Sequence, residues 1–317
     1  MSVLRVEAPA KSNKNKGSSI SEVIFLGTGT SSGIPSVPCL VRTDRKCKVC
    51  LSSMTKEGEK NRRRNTSILV RIVDENQELK NVLVDCGKTF YEGSIDQFPK
   101  NNVQSIDAVL LTHGHADAIL GLDDLRQWTV RKKETLNVYL NQETYDVVST
   151  TFPYIVDIKK ATGGGEVPVL DFIIFDNESV LNVFGIDFTP LPVEHGLYSN
   201  GDPYFSLGFR FGGISYISDC NLIPETTQEL IKTSDVLVID CLKWDSHLSH
   251  FGYDDAMNTI LLHRPQLSIL TDFCHSIDHY ELLDTLIVWQ KENSLNVVPS
   301  FDGQVLKVNE KSYDISL

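Results

Sequence analysis

The sequence predicts an α+β protein in which two packed β-sheets are covered by helices. Apolar, β-branched runs recur along the chain, helical periodicities separate them in two successive rounds, and residues of metal-binding type end several of the runs. Residues 22–26 read as a strand entering the Gly27-Thr28-Gly29-Thr30-Ser31-Ser32-Gly33 loop. Residues 67–73 and 81–85 read as a hairpin pair across the polar turn 74–80. A buried strand is expected at 108–112, after which Leu122, Leu125 and Trp128 recur at helical spacing. A second set of strands is expected at 171–175, 180–184, 186–190, 204–211, 213–218 and 236–239. Tyr253, Met257, Ile260 and Leu261 mark one apolar helical face and Leu282, Leu283, Leu286 and Ile287 another, with a strand at 266–271 between them. No repeat or Gly/Pro/Ser-rich linker divides the chain. The expected organisation is therefore a disordered tail over 1–20 and a single domain over 21–317. Residues 130–170 read as the one sizeable insertion, made modestly basic by Arg131, Lys132, Lys133, Lys159 and Lys160.

Composition narrows the function. The chain has 317 residues, 41% of them hydrophobic, with 30 basic against 42 acidic side chains and a net charge of −12. That balance argues against a non-specific nucleic-acid or anionic-membrane binder, which needs a broad positive field, and leaves room only for a local basic groove. No apolar run approaches the roughly 20 residues that span a bilayer. The first 20 residues lack the apolar core of an export signal. Seven cysteines, an odd number, point to reduced thiols and a cytoplasmic, alternatively nuclear, protein.

The chemistry is concentrated in Thr112-His113-Gly114-His115-Ala116-Asp117. His113, His115 and Asp117 alternate directly after an apolar run, so a strand ending there delivers two imidazoles and a carboxylate into one small space. Further metal-binding types end later runs: His195 in Pro192-Val193-Glu194-His195-Gly196, then Asp219, Asp240 and Asp272. Polar residues drawn from the ends of several strands are how a scaffold builds a metal site. Separately, Cys39, Cys47 and Cys50 form C-x7-C-x2-C, a pattern that fits structural zinc closed by one more ligand.

Taken in order, the Gly27–Gly33 loop, Val82-Leu83-Val84-Asp85-Cys86-Gly87, the His113–Asp117 motif, His195 and Asp219 resemble the metallo-β-lactamase superfamily over about residues 22–305. The likeness is greatest to the PhnP-like branch of phosphoribosyl cyclic phosphate phosphodiesterases and more distant to tRNase Z. It implies a four-layer αββα sandwich with metals in a cleft at one sheet edge. It further implies that His113, His115, His195 and Asp219 hold a first metal, with Asp219 bridging to a second that Asp117 also binds. His275 would complete the cysteine cluster, and His250, which precedes a helix, would be the general acid, with His247 in reserve.

Two positions depart from the family pattern. Ala118 stands where a second-metal histidine is usual, and Asp272 replaces the last metal histidine. The second set becomes Asp117, Asp219 and Asp272, oxygen donors that suit Mn2+ or another hard divalent ion, whereas the His-rich first site and the Cys3His site suit Zn2+. Alternatively the centre uses one metal, with Asp117 as base and Asp272 orienting a histidine. The expected function is a metal-dependent hydrolase, a phosphodiesterase acting on a small cyclic phosphate or nucleotide-like ester by attack of a metal-bound hydroxide. A tRNase Z-like endoribonuclease, a thioester or lactone hydrolase and a non-catalytic zinc-binding scaffold are the alternatives. The expected partner is a small phosphate ester; no membrane is expected, nucleic acid is disfavoured, and a homodimer is left open.

Overall fold

A computed structural model describes residues 2–8, 17–132 and 134–317. Part of the expected tail, residues 1 and 9–16, and Lys133 of the basic segment lie outside the described residues. The first half of the chain supplies β1 (Val3–Glu7), β2 (Ser19–Gly27), β3 (Ser67–Val73), β4 (Leu79–Val84), β5 (Ala108–Leu110), β6 (Leu136–Leu140) and β7 (Leu170–Ile174). Next come β8 (Leu181–Val183), β9 (Ile186–Leu197), β10 (Pro203–Phe211), β11 (Ile214–Ile217), β12 (Val236–Asp240), β13 (Leu267–Thr271) and β14 (Val297–Pro299). The chain then returns to the first sheet with β15 (Val305–Val308) and β16 (Ser312–Ser316). The nine-stranded sheet has the order β1-β16-β15-β2-β3-β4-β5-β6-β7 and the seven-stranded sheet β14-β13-β12-β11-β10-β9-β8. Both mix parallel and antiparallel pairs.

Side-chain alternation explains the layering. Successive strand residues face opposite sides, so a strand buried on both faces is apolar throughout. In β2, Val23 and Phe25 pack inward against Phe188, Phe209 and Phe211 of the other sheet. Ile24 and Leu26 point the other way, under a cover that includes Phe90, Leu122, Leu125 and Val148. On the far side Leu191, Ile217, Ile239 and Leu270 meet Met257, Ile260, Leu282 and Leu286. Those last four lie on the helices Tyr253–His263 and His279–Asn293. The result is helices, sheet, sheet, helices, the expected α+β sandwich. The longer helix starts where Asp278 accepts from the backbone N–H groups of Tyr280 and Glu281, a side-chain cap.

The structure corrects three expectations. Residues 3–7 of the presumed tail form β1, paired antiparallel with β16. Residues 130–170 are not an insertion: they contribute β6 and the helix Gln142–Thr151, and β6 pairs in parallel with β5 and β7. The strand expected at 171–175 belongs to the first sheet, not the second. Position follows from topology: β5, β11, β12 and β13 all end at the same rim of the sandwich, which is where the metal-binding types were found. No helix among the described residues is long and apolar enough to cross a membrane.

Candidate metal centre

The loop after β5 is held from below by Asp85, which ends β4. Its Oδ1 accepts from the Thr112 backbone N–H at 2.9 Å and its Oδ2 from the Thr112 hydroxyl at 2.8 Å. That hydroxyl in turn accepts from His113 Nδ1 at 2.8 Å, leaving His113 Nε2 free. A carboxylate–hydroxyl–imidazole chain of this kind fixes the tautomer and aim of a metal-binding histidine. Gly87 lets the same segment close: a Cβ there would lie 1.7 Å from the Asp117 carbonyl oxygen. The short helix Ala116–Ile119 then begins directly after His115, and Asp117 is buried in its first turn.

His195 lies within β9 and reaches the cleft from the second sheet. Its Nδ1 donates to the Ser249 carbonyl at 2.7 Å, so Nε2 is turned inward, 3.2 Å from His115 Nδ1. His113, His115 and His195 offer ring nitrogens that all lie within 4.8 Å of one another. Asp219, just past β11, joins His195 and His250 in a second group of the same size, and Asp240, His250 and Asp272 make a third. Asp117 stands at the edge, with Oδ1 3.9 Å from His113 Nε2.

His250 is the joint between these groups. Its Nδ1 donates to Asp240 Oδ2 at 2.9 Å, and Asp272 Oδ2 lies 3.0 Å from the same nitrogen. Asp272 Oδ1 accepts from the Thr66 hydroxyl at 2.8 Å, and Asp240 Oδ2 also accepts from the Cys220 backbone N–H at 3.0 Å. Asp240 and Asp272 are both 0% exposed, and burial pushes Asp240 up to about 7 and Asp272 well above the usual carboxylate range, with the imidazole opposing the shift in each.

Electrostatics separate the groups by environment. Burial drives His113 down to about 3 and His195 down to about 4, so both stay neutral and able to bind a cation. Burial likewise lowers His115. Burial, then the neighbouring Asp219, pushes Asp117 up to about 6. Burial alone would raise Asp219, but the imidazoles around it, of which His250 carries the charge, outweigh burial and hold Asp219 below the usual carboxylate range. Burial would lower His250; Asp240 and then Asp272 reverse this and push it up to about 12. Buried atoms without a hydrogen-bond partner converge here: His113 Nε2, Asp117 Oδ1, Asp219 Oδ1, Asp240 Oδ1 and Asp272 Oδ2. Leaving such atoms unpaired costs about 1–3 kcal/mol each. The first three face the histidine group and fit a bound divalent cation, whereas Asp240 Oδ1 and Asp272 Oδ2 belong to the carboxylates around His250.

The cysteine cluster also forms. Sγ of Cys39, Cys47 and Cys50 lie 3.3, 3.4 and 3.6 Å from His275 Nδ1. Three thiols and one imidazole nitrogen, all within 4.8 Å of one another, are the donor chemistry of structural zinc. Cys39 and Cys50 belong to the two short helices that follow the glycine loop, and His275 lies in the loop after β13. The cluster therefore ties the two sides of the cleft together. Cys274 stands apart, with Sγ 3.0 Å from the Ser276 hydroxyl. Arg126 pairs with Asp123 at the surface, away from the three groups. Tyr204 was not foreseen: its ring stacks on His115 at 4.9 Å and 26°.

Residues 80–273 match the family model described as Beta-lactamase superfamily domain. A curated relative from Porphyromonas gingivalis (strain ATCC BAA-308 / W83), named Octanoyltransferase, is 30% identical over 294 residues, 92% of this chain and 52% of that protein. The chain thus spans about half the length of the curated relative it matches. A crystal structure described as a new diphosphatase from the PhnP family superposes with a TM-score of 0.73 at 26% identity, covering 91% of this chain and 98% of that one. Zn2+-bound PqqB from Methylobacterium extorquens superposes with a TM-score of 0.68 at 18% identity, over 90% and 100% of the two chains, a likeness of fold.

Proposed function

We propose that this chain, which belongs to the beta-lactamase superfamily, is a phosphodiesterase with one catalytic metal held by His113, His115, His195 and Asp219. Nitrogen-rich donors suit zinc there, and the Cys3His set suits a second, structural zinc. A divalent ion at the centre supplies Lewis acidity toward the phosphoryl group and a water acidic enough to react near neutral pH.

The chain's own residues would do the rest. Asp117 Oδ1, buried and unpaired, is placed to take a proton from the attacking water. His250 spends Nδ1 on Asp240, so its Nε2 is left to donate a proton to the departing oxygen. Asp272 lies against the same Nδ1, and Thr66 holds Asp272 in turn. On this reading Asp272 orients His250 and binds no metal. On this reading Asp117 and Asp272 serve the attacking water and His250 instead of completing a manganese-type second site, for which Ala118 supplies no donor.

The single observation that carries the reading is His250, clamped by two buried carboxylates with its ring centroid 4.7 Å from that of His195. The likeness to the PhnP-family diphosphatase supports phosphorus as the electrophile. The name of the Porphyromonas relative favours a second reading, hydrolysis of an acyl ester or thioester at the same centre. The test is zinc-reconstituted protein, with His115→Ala as control, offered bis(p-nitrophenyl) phosphate and p-nitrophenyl octanoate. Phosphodiester turnover that disappears in the variant is expected. Turnover of the octanoate alone would transfer the assignment to acyl hydrolysis, and turnover of neither would leave the scaffold.

A further inference from the structure

Beside the centre lies an open cleft of about 830 Å3, with His115 and His195 at its inner end. Its walls are Glu143, Asp146, Leu197, Tyr198, Tyr204 and Leu248, and no lysine or arginine is among the described residues that line it. Leu248 is 90% exposed, Leu197 67% and Tyr198 46%, and all three line this one cleft. Gathered exposure of this kind marks a binding surface.

The polar groups define the ligand. Tyr198 and Tyr204 pack edge to face at right angles, 5.3 Å between centroids and 85° between planes, and form an aromatic corner in which one Tyr204 face is already stacked on His115. The Tyr198 hydroxyl donates to Glu143, which fixes that carboxylate beside the corner. Asp146 sits one helical turn away on the helix Gln142–Thr151, held by Gln142 Nε2 at 2.7 Å. Two carboxylates and two tyrosine rings in an apolar cleft attract a soft, weakly hydrated cation and repel a polyanion. The net charge of −12 acts in the same direction at long range.

We propose that this cleft selects phosphodiesters whose non-leaving group is an alkylated ammonium, of the choline type. The proposal rests on the phosphodiesterase reading above. The phosphoryl group would lie at the centre, and the ammonium would occupy the Tyr198–Tyr204 corner beside Glu143 and Asp146. Nucleotide polyphosphates and RNA, which carry further negative charge into the cleft, would be rejected.

The test uses the zinc-loaded full chain and two esters of one shape, p-nitrophenyl phosphocholine and p-nitrophenyl 3,3-dimethylbutyl phosphate, in which carbon replaces the charged nitrogen. A preference of about tenfold or more in kcat/KM for the choline ester, carried mainly by KM, is expected. Glu143→Gln with Asp146→Asn should collapse that preference toward unity, and the single Glu143→Gln should remove part of it. Melting curves and metal content verify that these surface variants remain folded. Equal kcat/KM in the wild type overturns the cation assignment and leaves the phosphodiesterase standing. So does a preference that survives the double variant. Turnover of bis(p-nitrophenyl) phosphate but of neither alkyl ester overturns the cleft assignment. Turnover of none of the three overturns the phosphodiesterase reading and this inference with it.

Discussion

Asp272 Oδ2 lies 3.0 Å from His250 Nδ1, and the same nitrogen donates to Asp240 Oδ2 at 2.9 Å. Two fully buried carboxylates thus converge on one imidazole. Burial pushes Asp240 up to about 7 and Asp272 well above the usual carboxylate range, and His250 between them offsets part of that cost. Asp272 stands where the resembled family pattern has its last metal histidine. Asp272 itself sits at φ 63°, a left-handed conformation that is uncommon for a residue other than glycine and is compatible with Asp.

The first prediction concerns the proton. His250→Gln should lower kcat by about 10²–10⁴ for esters with an alkoxide leaving group, which cannot depart unprotonated. For a p-nitrophenolate leaving group the loss should be far smaller. Comparing the two in one variant checks the role, because a purely structural His250 would lower both alike.

Much of the candidate centre was legible because several of its candidate ligands are close in sequence. His113, His115 and Asp117 share one strand end, and Cys47 and Cys50 share one turn, so spacing alone brought their side chains together. His195 and Asp219 were found by their place at or near the ends of apolar runs. What stayed hidden was contact across the fold. Nothing in spacing says that Asp272 turns toward His250 and Thr66, or that Tyr204 stacks on His115. β6 was missed although its burial alternates as a half-buried strand should, because basic and polar residues on either side read as a loop. β1 was missed because five residues near a terminus carry little pattern until β16 is there to pair with.

Gly87→Ala should damage the centre without touching a ligand. The added Cβ would meet the Asp117 carbonyl oxygen at 1.7 Å, a clash with backbone that no rotamer relieves, so the Ala116–Ile119 turn has to move. Loss of catalytic metal with retention of the Cys3His metal is expected, measured as metal content per chain. A variant that keeps both ions and full turnover would show that the close approach is dispensable.

Cys47→Ser should release the structural ion and loosen the segment carrying the glycine loop. Melting should fall by several degrees, at roughly 2 °C per kcal/mol for a chain of this size. Calorimetry with and without a chelator checks it: the wild type should lose stability on chelation, and the variant should lose less.

Acid sensitivity should trace in part to His279, which is 2% exposed and packs against Phe301. Burial, with Arg63 and Lys60 adding, lowers it from 6.5 to about 3. Between those values the unfolded chain binds a proton that the folded chain refuses. Stability is therefore full above pH 6.5 and declines as the pH falls toward 3. His279→Gln should flatten that decline in denaturant titrations, and the difference between the two proteins cancels effects of metal loss.

The most direct test of the one-metal centre is a count of ions per chain in protein purified without chelator, on the wild type and on Asp272→Ala. Two ions in the wild type, both retained in Asp272→Ala while kcat for alkoxide esters falls, is the result this account predicts. Three ions in the wild type, one of them lost with Asp272→Ala, would contradict it and restore Asp272 as a ligand.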